Sequence, residues 1–215
     1  MKVVKRRNRA MTMERILRAT GEVIAERGTE KAGINSVAEK AQVNKVLIYR
    51  YFGGWNGLLE AYVQRGFFLS MFNDKYTDTL PANIPPADRD KVWSEYILGL
   101  TREFRSRKSS QDLVRWEMTH GETELARRIA QFRSEAYAKM IQKLAPYPDY
   151  DPTSITAIIL AGITYLTLLS DQGNPFIGID LQSDAGWDRI EKGVERIHRS
   201  LNRSLIEKEE EAATK

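Results

Sequence analysis

The run from Ile34 to Phe52, INSVAEKAQVNKVLIYRYF, constrains the chain more tightly than any other stretch. Ile34, Val37, Ala38 and Ala41 recur at helical spacing and form one apolar stripe. Gln42, Val43 and Asn44 leave room only for a turn. A second stripe follows with Val43 ahead of a helix and Ile48 and Phe52 within it. Between the stripe residues lie Asn44, Lys45, Val46, Leu47, Tyr49, Arg50 and Tyr51. They offer two cations, two phenols and an amide, and no acid. Two short helices around a tight turn with such a surface read as a helix-turn-helix. In that motif the first helix braces and the second lies in the DNA major groove, its N-terminal residues at base edges. The plainer alternative is a pair of packed helices in an all-helical domain with aromatic residues on its surface.

The charge distribution favours a polyanion. Residues 1–52 hold 12 Lys/Arg against 5 Glu, a net +7, while the remainder holds 21 against 24, a net −3. A basic N-terminal quarter on a mildly acidic body suggests a nucleic-acid-binding module attached to something else. The chain has no cysteine, which removes disulfides and thiolate metal sites and fits a reducing cytoplasm. The start, MKVVKRRNRAM, is basic without an apolar core and is not a secretory signal. Lys2, Lys5, Arg6, Arg7 and Arg9 make an arm without acid. It is expected to be disordered in the free protein, serving solubility or touching phosphates and the minor groove.

Val43-Asn44-Lys45 followed by Ile48-Tyr49-Arg50-Tyr51-Phe52 resembles the signature of TetR/AcrR-type transcriptional regulators. Val37-Ala38-Glu39-Lys40-Ala41 is similar to the Ile-Ala-x-x-Ala that precedes it in that family. The resemblance covers residues 12–62. It implies an all-α fold of about nine helices: an N-terminal three-helix DNA-binding domain over residues 1–54, and a larger ligand-binding and dimerisation domain over residues 55–215. It implies a homodimer on an inverted-repeat operator in double-stranded DNA and a small-molecule effector, which the apolar candidates for its cavity make a hydrophobic one. Three positions depart from the pattern: Gly33 stands where the family has a capping, phosphate-binding Thr, Gln42 where it favours Gly, and Trp55 where it usually has a phosphate-binding Lys.

The motif places Asn44, Lys45, Val46, Leu47 and Tyr49 at base edges. Lys45 suits guanine acceptors, and Val46 or Leu47 suits a thymine methyl. Core packing is the equal alternative for Leu47. Tyr49, Arg50 and Tyr51 would hold phosphates, with Arg7 and Arg9 adding charge.

The rest of the chain reads as helices. The first runs about Thr12 to Arg27, with Thr12 as its cap and Gly28 as its stop. A fourth runs about Trp55 to Tyr76, and Pro81, Pro85 and Pro86 break the chain after it. Further helices are expected at about Ala87 to Lys108, Gln111 to Thr119 and Glu122 to Leu144. Thr153 to Ser170 carries no charge and must be tested as a membrane span. Its threonines, flanking aspartates and lack of adjacent Lys/Arg favour a soluble helix buried on both sides. The last helix runs from Ser183 or Asp184 to about Glu207, with a frayed tail. Trp187, Ile190, Val194, Ile197, Leu201 and Leu205 step almost as a heptad. With Ile158 and Leu166 of the preceding helix, the stripe to Leu201 is the expected dimer interface, a four-helix bundle across a two-fold axis.

Phe68, Phe72, Trp93, Tyr96, Phe104, Trp116, Phe132 and Tyr165 are the candidates for a ligand cavity, with an ordinary aromatic core as the alternative. No constellation supports catalysis. Glu117-x-x-His120 matches half of a carboxylate-bridged di-iron site, but no second copy exists, so no metal or cofactor is expected. His198, between charges, reads as surface or interface. The expectation is therefore a cytoplasmic regulator, a repressor released by its ligand. The alternative is a DNA-anchored protein whose helical body recruits a protein partner.

Overall fold

No glycine or proline interrupts residues 2–20, and in the computed structural model the first helix, α1, runs from Lys2 to Arg27. The basic arm is thus helical, not disordered. Thr12 does not cap this helix; its hydroxyl donates to the carbonyl of Asn8 at 2.7 Å. Gly28, at φ +79°, ends α1 in the left-handed conformation that glycine adopts without a Cβ clash. The structure describes residues 2–65, 68–77, 79–80, 84–144 and 151–213.

Three helices follow in quick succession: α2 (Ile34–Lys40), α3 (Lys45–Phe52) and α4 (Trp55–Arg65). Then come α5 (Phe68–Thr77), a single 3-10 turn at Pro86–Asp88, and α6 (Arg89–Arg105). The chain ends with α7 (Lys108–Thr119), α8 (Glu124–Leu144), α9 (Pro152–Ser170) and α10 (Asp184–Ala213). The described residues therefore hold ten α-helices. The single helix expected over Trp55 to Tyr76 falls into α4 and α5, with residues 66 and 67 between them outside the description. Arg107, at φ −120° and ψ 93°, separates α6 from α7, so Lys108 opens α7 instead of closing α6. The acidic tail continues α10 to Ala213.

The chain forms two compact units: residues 1–74 with 106–136, and residues 75–105 with 137–215. These packing units divide the chain elsewhere than the sequence boundary at 54/55, because α1 packs on α7 as well as on α2 and α4. In the first unit Ile16, Ile24, Val37, Ile48, Leu58 and Leu59 are wholly buried. In the second, α6 lies against both α9 and α10.

Thr153–Ser170 is long and apolar enough to cross a membrane by length and composition, yet only 28% of that stretch is buried. Thr156, Ile159, Ile163 and Thr167 face inward. Ala157, Ile158, Ala161, Gly162 and Tyr165 lie on the exposed face. Within the single chain α9 buries one face in its own unit and leaves an apolar one open, the face on which Ile158 was expected to meet a second copy. For α10 the expectation is corrected. Trp187 and Val194, expected at a dimer interface, belong to the core of their unit. The indole N–H of Trp187 donates to the Leu181 carbonyl at 2.7 Å, and the Arg105 guanidinium stands 4.0 Å from its ring centroid. Ile190 and Leu201 are half-buried and Ile197 is exposed. His198 is not at the surface; it is 1% exposed and stacked on Trp93 at 6.1 Å between ring centroids.

Candidate nucleic-acid interface

Helix α3 is held by its ends and by one side chain. Asn44 is its N-cap, its side-chain oxygen accepting from the Val46 N–H at 2.9 Å. The rest of the Asn44 amide is what remains for a base edge. Ile48 is wholly buried and seats the helix. Gly53, at φ +77°, closes it by donating its N–H to the Tyr49 carbonyl at 2.9 Å. Helix α4 then starts at Trp55, which is half-buried.

Around this anchored helix Lys45, Val46, Tyr49 and Arg50 occupy one exposed face, spaced one, three and one residues apart. Val46 is 61% exposed and Tyr49 55%, high values for apolar and aromatic side chains on a helix that has its own core. No acid stands in α3, so the positive end of the helix dipole and two cations share this face. Leu47 and Tyr51 are half-buried. Lys45 Nζ lies 3.5 Å from the Asn35 side-chain oxygen, at the long limit of a hydrogen bond.

Gly33 and Gln42 each take a defined local conformation. Gly33 has no side chain to cap α2, but Ser36 reaches back: its hydroxyl accepts from the Gly33 N–H at 3.2 Å and donates to the Gly33 carbonyl at 2.9 Å. Gln42 holds the turn in the left-handed region, at φ +52°, where glycine would be unstrained. A non-glycine residue at this φ carries local strain.

One contact was invisible in the sequence. The guanidinium of Arg9 sits over the Tyr51 ring, 5.2 Å from its centroid. It joins the first part of α1 to α3 and places a basic residue beside the exposed face. The side chain of Arg7 lies outside the described residues. The only signal that could have suggested this contact was an Arg within a helix-forming basic run.

The ligand candidates do not form one group. Trp93 and Tyr96 are buried together in the second unit, with ring centroids 6.2 Å apart, and Tyr76 meets Tyr96 at 5.2 Å. Burial pushes the Tyr96 phenol far above its ordinary pKa. Phe104 is buried in the same unit. Phe72, Trp116 and Phe132 belong to the first unit and are half-buried. Tyr165 is 52% exposed, edge-on to Phe176, and does not join the buried aromatics. The side chain of Phe68 lies outside the described residues. Of the two residues of the half-motif for iron, Glu117 is buried and paired with Arg133, and His120 stacks on Trp116.

A capped, anchored helix with a basic, acid-free face, braced by a preceding helix across a tight turn, defines a helix-turn-helix protein of the DNA-binding class. Residues 16–62 match the family of bacterial regulatory proteins, tetR family, and they carry its helix-turn-helix domain. The fold of most of the chain is similar to that of several solved structures. The fatty acid degradation regulator FadR from Bacillus halodurans superposes with a TM-score of 0.66 at 18% identity, over 86% of this chain and 93% of that one. FadR from Bacillus subtilis, solved in complex with stearoyl-CoA, gives 0.65 at 16% identity, over 86% and 96%. A TetR-family transcriptional regulator from Streptomyces coelicolor gives 0.55 at 18% identity, over 90% and 99%. No curated protein matches the chain in sequence.

Proposed function

We propose that this chain is a one-component transcriptional repressor that binds an inverted-repeat operator as a homodimer and is released by a small hydrophobic ligand. The observation that carries the reading is the exposed face of α3, where Lys45, Val46, Tyr49 and Arg50 stand out from a helix fixed by Asn44 and Ile48. Asn44, Lys45, Val46, Leu47 and Tyr49 read base edges. Tyr49, Arg50 and Tyr51 hold phosphates, and Arg7 and Arg9 add charge. Residues 1–54 serve DNA; residues 55–215 serve the ligand and the dimer. It works in the cytoplasm.

The open face of α9, with Ile158 73% exposed, supports a second copy as the partner, joined by Ile190, Ile197 and Leu201 of α10. A dimer presents two copies of α3, and a ligand that favours the dimer with mismatched spacing lowers DNA affinity by population shift. The buried aromatics of the second unit and the stearoyl-CoA held by the FadR neighbour support a hydrophobic ligand. The same exposed face of α9 also favours the second reading, in which the body recruits a different protein instead of sensing a ligand.

Selection of random duplex DNA on purified protein at two salt concentrations tests the reading. Recovery of an inverted repeat whose binding survives the higher salt is the expected result. Binding without a motif that vanishes with salt would leave only a basic helix on a helical body.

A further inference from the structure

A half-open cleft of about 830 Å³ runs along α1 and is lined on its other side by Tyr62 and Arg65 of α4 and by residues 106–109. That volume falls within the roughly 300–1,000 Å³ of small-molecule sites. Its floor is apolar. Met13 and Leu17 lie on successive turns of α1, and Tyr62 is almost wholly buried beside them. Gly21 makes this floor possible, because a Cβ there would lie 2.9 Å from the Tyr62 hydroxyl. That hydroxyl donates to the Ser109 hydroxyl at 3.2 Å.

The rim is cationic. Arg18, Arg65, Arg107 and Lys108 line it against Glu14 and Glu22, a net +2. Arg18 lies 3.9 Å from Glu22 on the exposed side of α1. Arg65, Arg107 and Lys108 line the cleft together with Tyr62, and the Arg107 charge acts on its phenol. Burial pushes the Tyr62 phenol up, and both the Ser109 hydrogen bond and the Arg107 charge pull it back. The first turn of α7, at the same edge, holds no acid, so its dipole adds to the positive field.

We propose that this cleft binds a small amphipathic anion, its apolar body over Met13, Leu17 and Tyr62 and its acid group toward Arg65, Arg107 and Lys108. A positive rim alone would suit any anion. A floor that removes an apolar body from water selects one that carries such a body. The site lies within the first unit, whereas the buried aromatics Trp93 and Tyr96 belong to the second.

The test uses the full chain and 8-anilinonaphthalene-1-sulfonate, an aromatic body with one fixed negative charge. N-phenyl-1-naphthylamine, the same body without the sulfonate, is the control. Arg107→Ala with Lys108→Ala should weaken the sulfonate probe about tenfold and change the neutral probe by less than about twofold. Ala25→Trp, at an exposed position on the cleft wall, should block both probes there. The helical circular dichroism of both variants is checked first. Amide exchange in residues 10–25 and 106–109 should slow when the sulfonate probe binds. Unchanged affinity in the double variant, or no slowing in those segments, overturns the proposal. So does a double variant that binds every DNA sequence more weakly while keeping its affinity for the probe, since the cations are then phosphate contacts.

Discussion

The backbone N–H and the hydroxyl of Thr29 both donate to one carboxylate oxygen of Asp112, at 2.5 and 2.6 Å. The two residues are 83 positions apart, and the contact ties the turn after α1 to α7. A charge-assisted bond at a buried threonine is worth about 1.5–3 kcal/mol. Asp112→Ala should lower the urea midpoint by that amount of stability. Thr29→Val, which keeps the N–H, should cost less. An unchanged midpoint for Asp112→Ala would show that the contact contributes nothing.

Gly57 fixes the corner between α3 and α4. A Cβ at this position would lie 1.9 Å from the Phe52 carbonyl oxygen, so backbone must move to admit it. Gly57→Ala should destabilise the protein by about 1–3 kcal/mol, as overpacking does. It should also weaken specific DNA binding more than nonspecific binding, because α3 shifts on its seat. Thermal melting and fluorescence anisotropy on matched and scrambled duplexes would measure the two effects.

Gln42 carries strain that glycine would release. An L-residue held at a left-handed φ costs roughly 1–2 kcal/mol, and part of the gain on substitution is returned through the looser unfolded chain. Gln42→Gly should therefore stabilise by about 0.5–1 kcal/mol, a rise of roughly 1–4 °C in Tm. Gln42→Val, β-branched, should do the reverse. A melting point that falls with glycine would contradict the strain.

His198 makes stability depend on acid. Burial pushes its pKa down from 6.5 to about 4, only partly opposed by the Asp90 charge. Between those values the unfolded chain takes up a proton that the folded chain refuses. Stability is thus unaffected by this group above pH 6.5, falls as the pH drops toward 4, and levels off below. The slope approaches about 1.4 kcal/mol per pH unit. His198→Phe should flatten that part of the profile. Urea midpoints of both proteins at pH 7 and pH 5 give the comparison, since the carboxylates are common to both. Equal losses in the two proteins would rule out the buried neutral imidazole.

The helices of the first unit were legible because their signals are local. The stripe from Ile34 to Ala41, the three-residue turn, and the seat at Ile48 need only the 3.6-residue period and neighbouring turn chemistry. Periodicity could not tell which apolar positions of α9 and α10 face inward. A heptad stripe is the same string whether it meets its own core or a second chain. Trp187 and Val194 meet the core, through α6. The failure at His198 has the same origin: its charged sequence neighbours lie on other faces of α10, while its ring meets Trp93 from α6.

The sequence by itself determined an all-helical chain, a helix-turn-helix near its start, and the cap and seat of α3, because each rests on contacts within a turn or two. Tertiary structure alone decided that Arg9 would lie over Tyr51, that Asp112 would hold Thr29, and that α9 would leave Ile158 and Tyr165 exposed. These depend on which helices pack together across tens of residues, and burial is a property of that packing, not of the order of side chains along the chain.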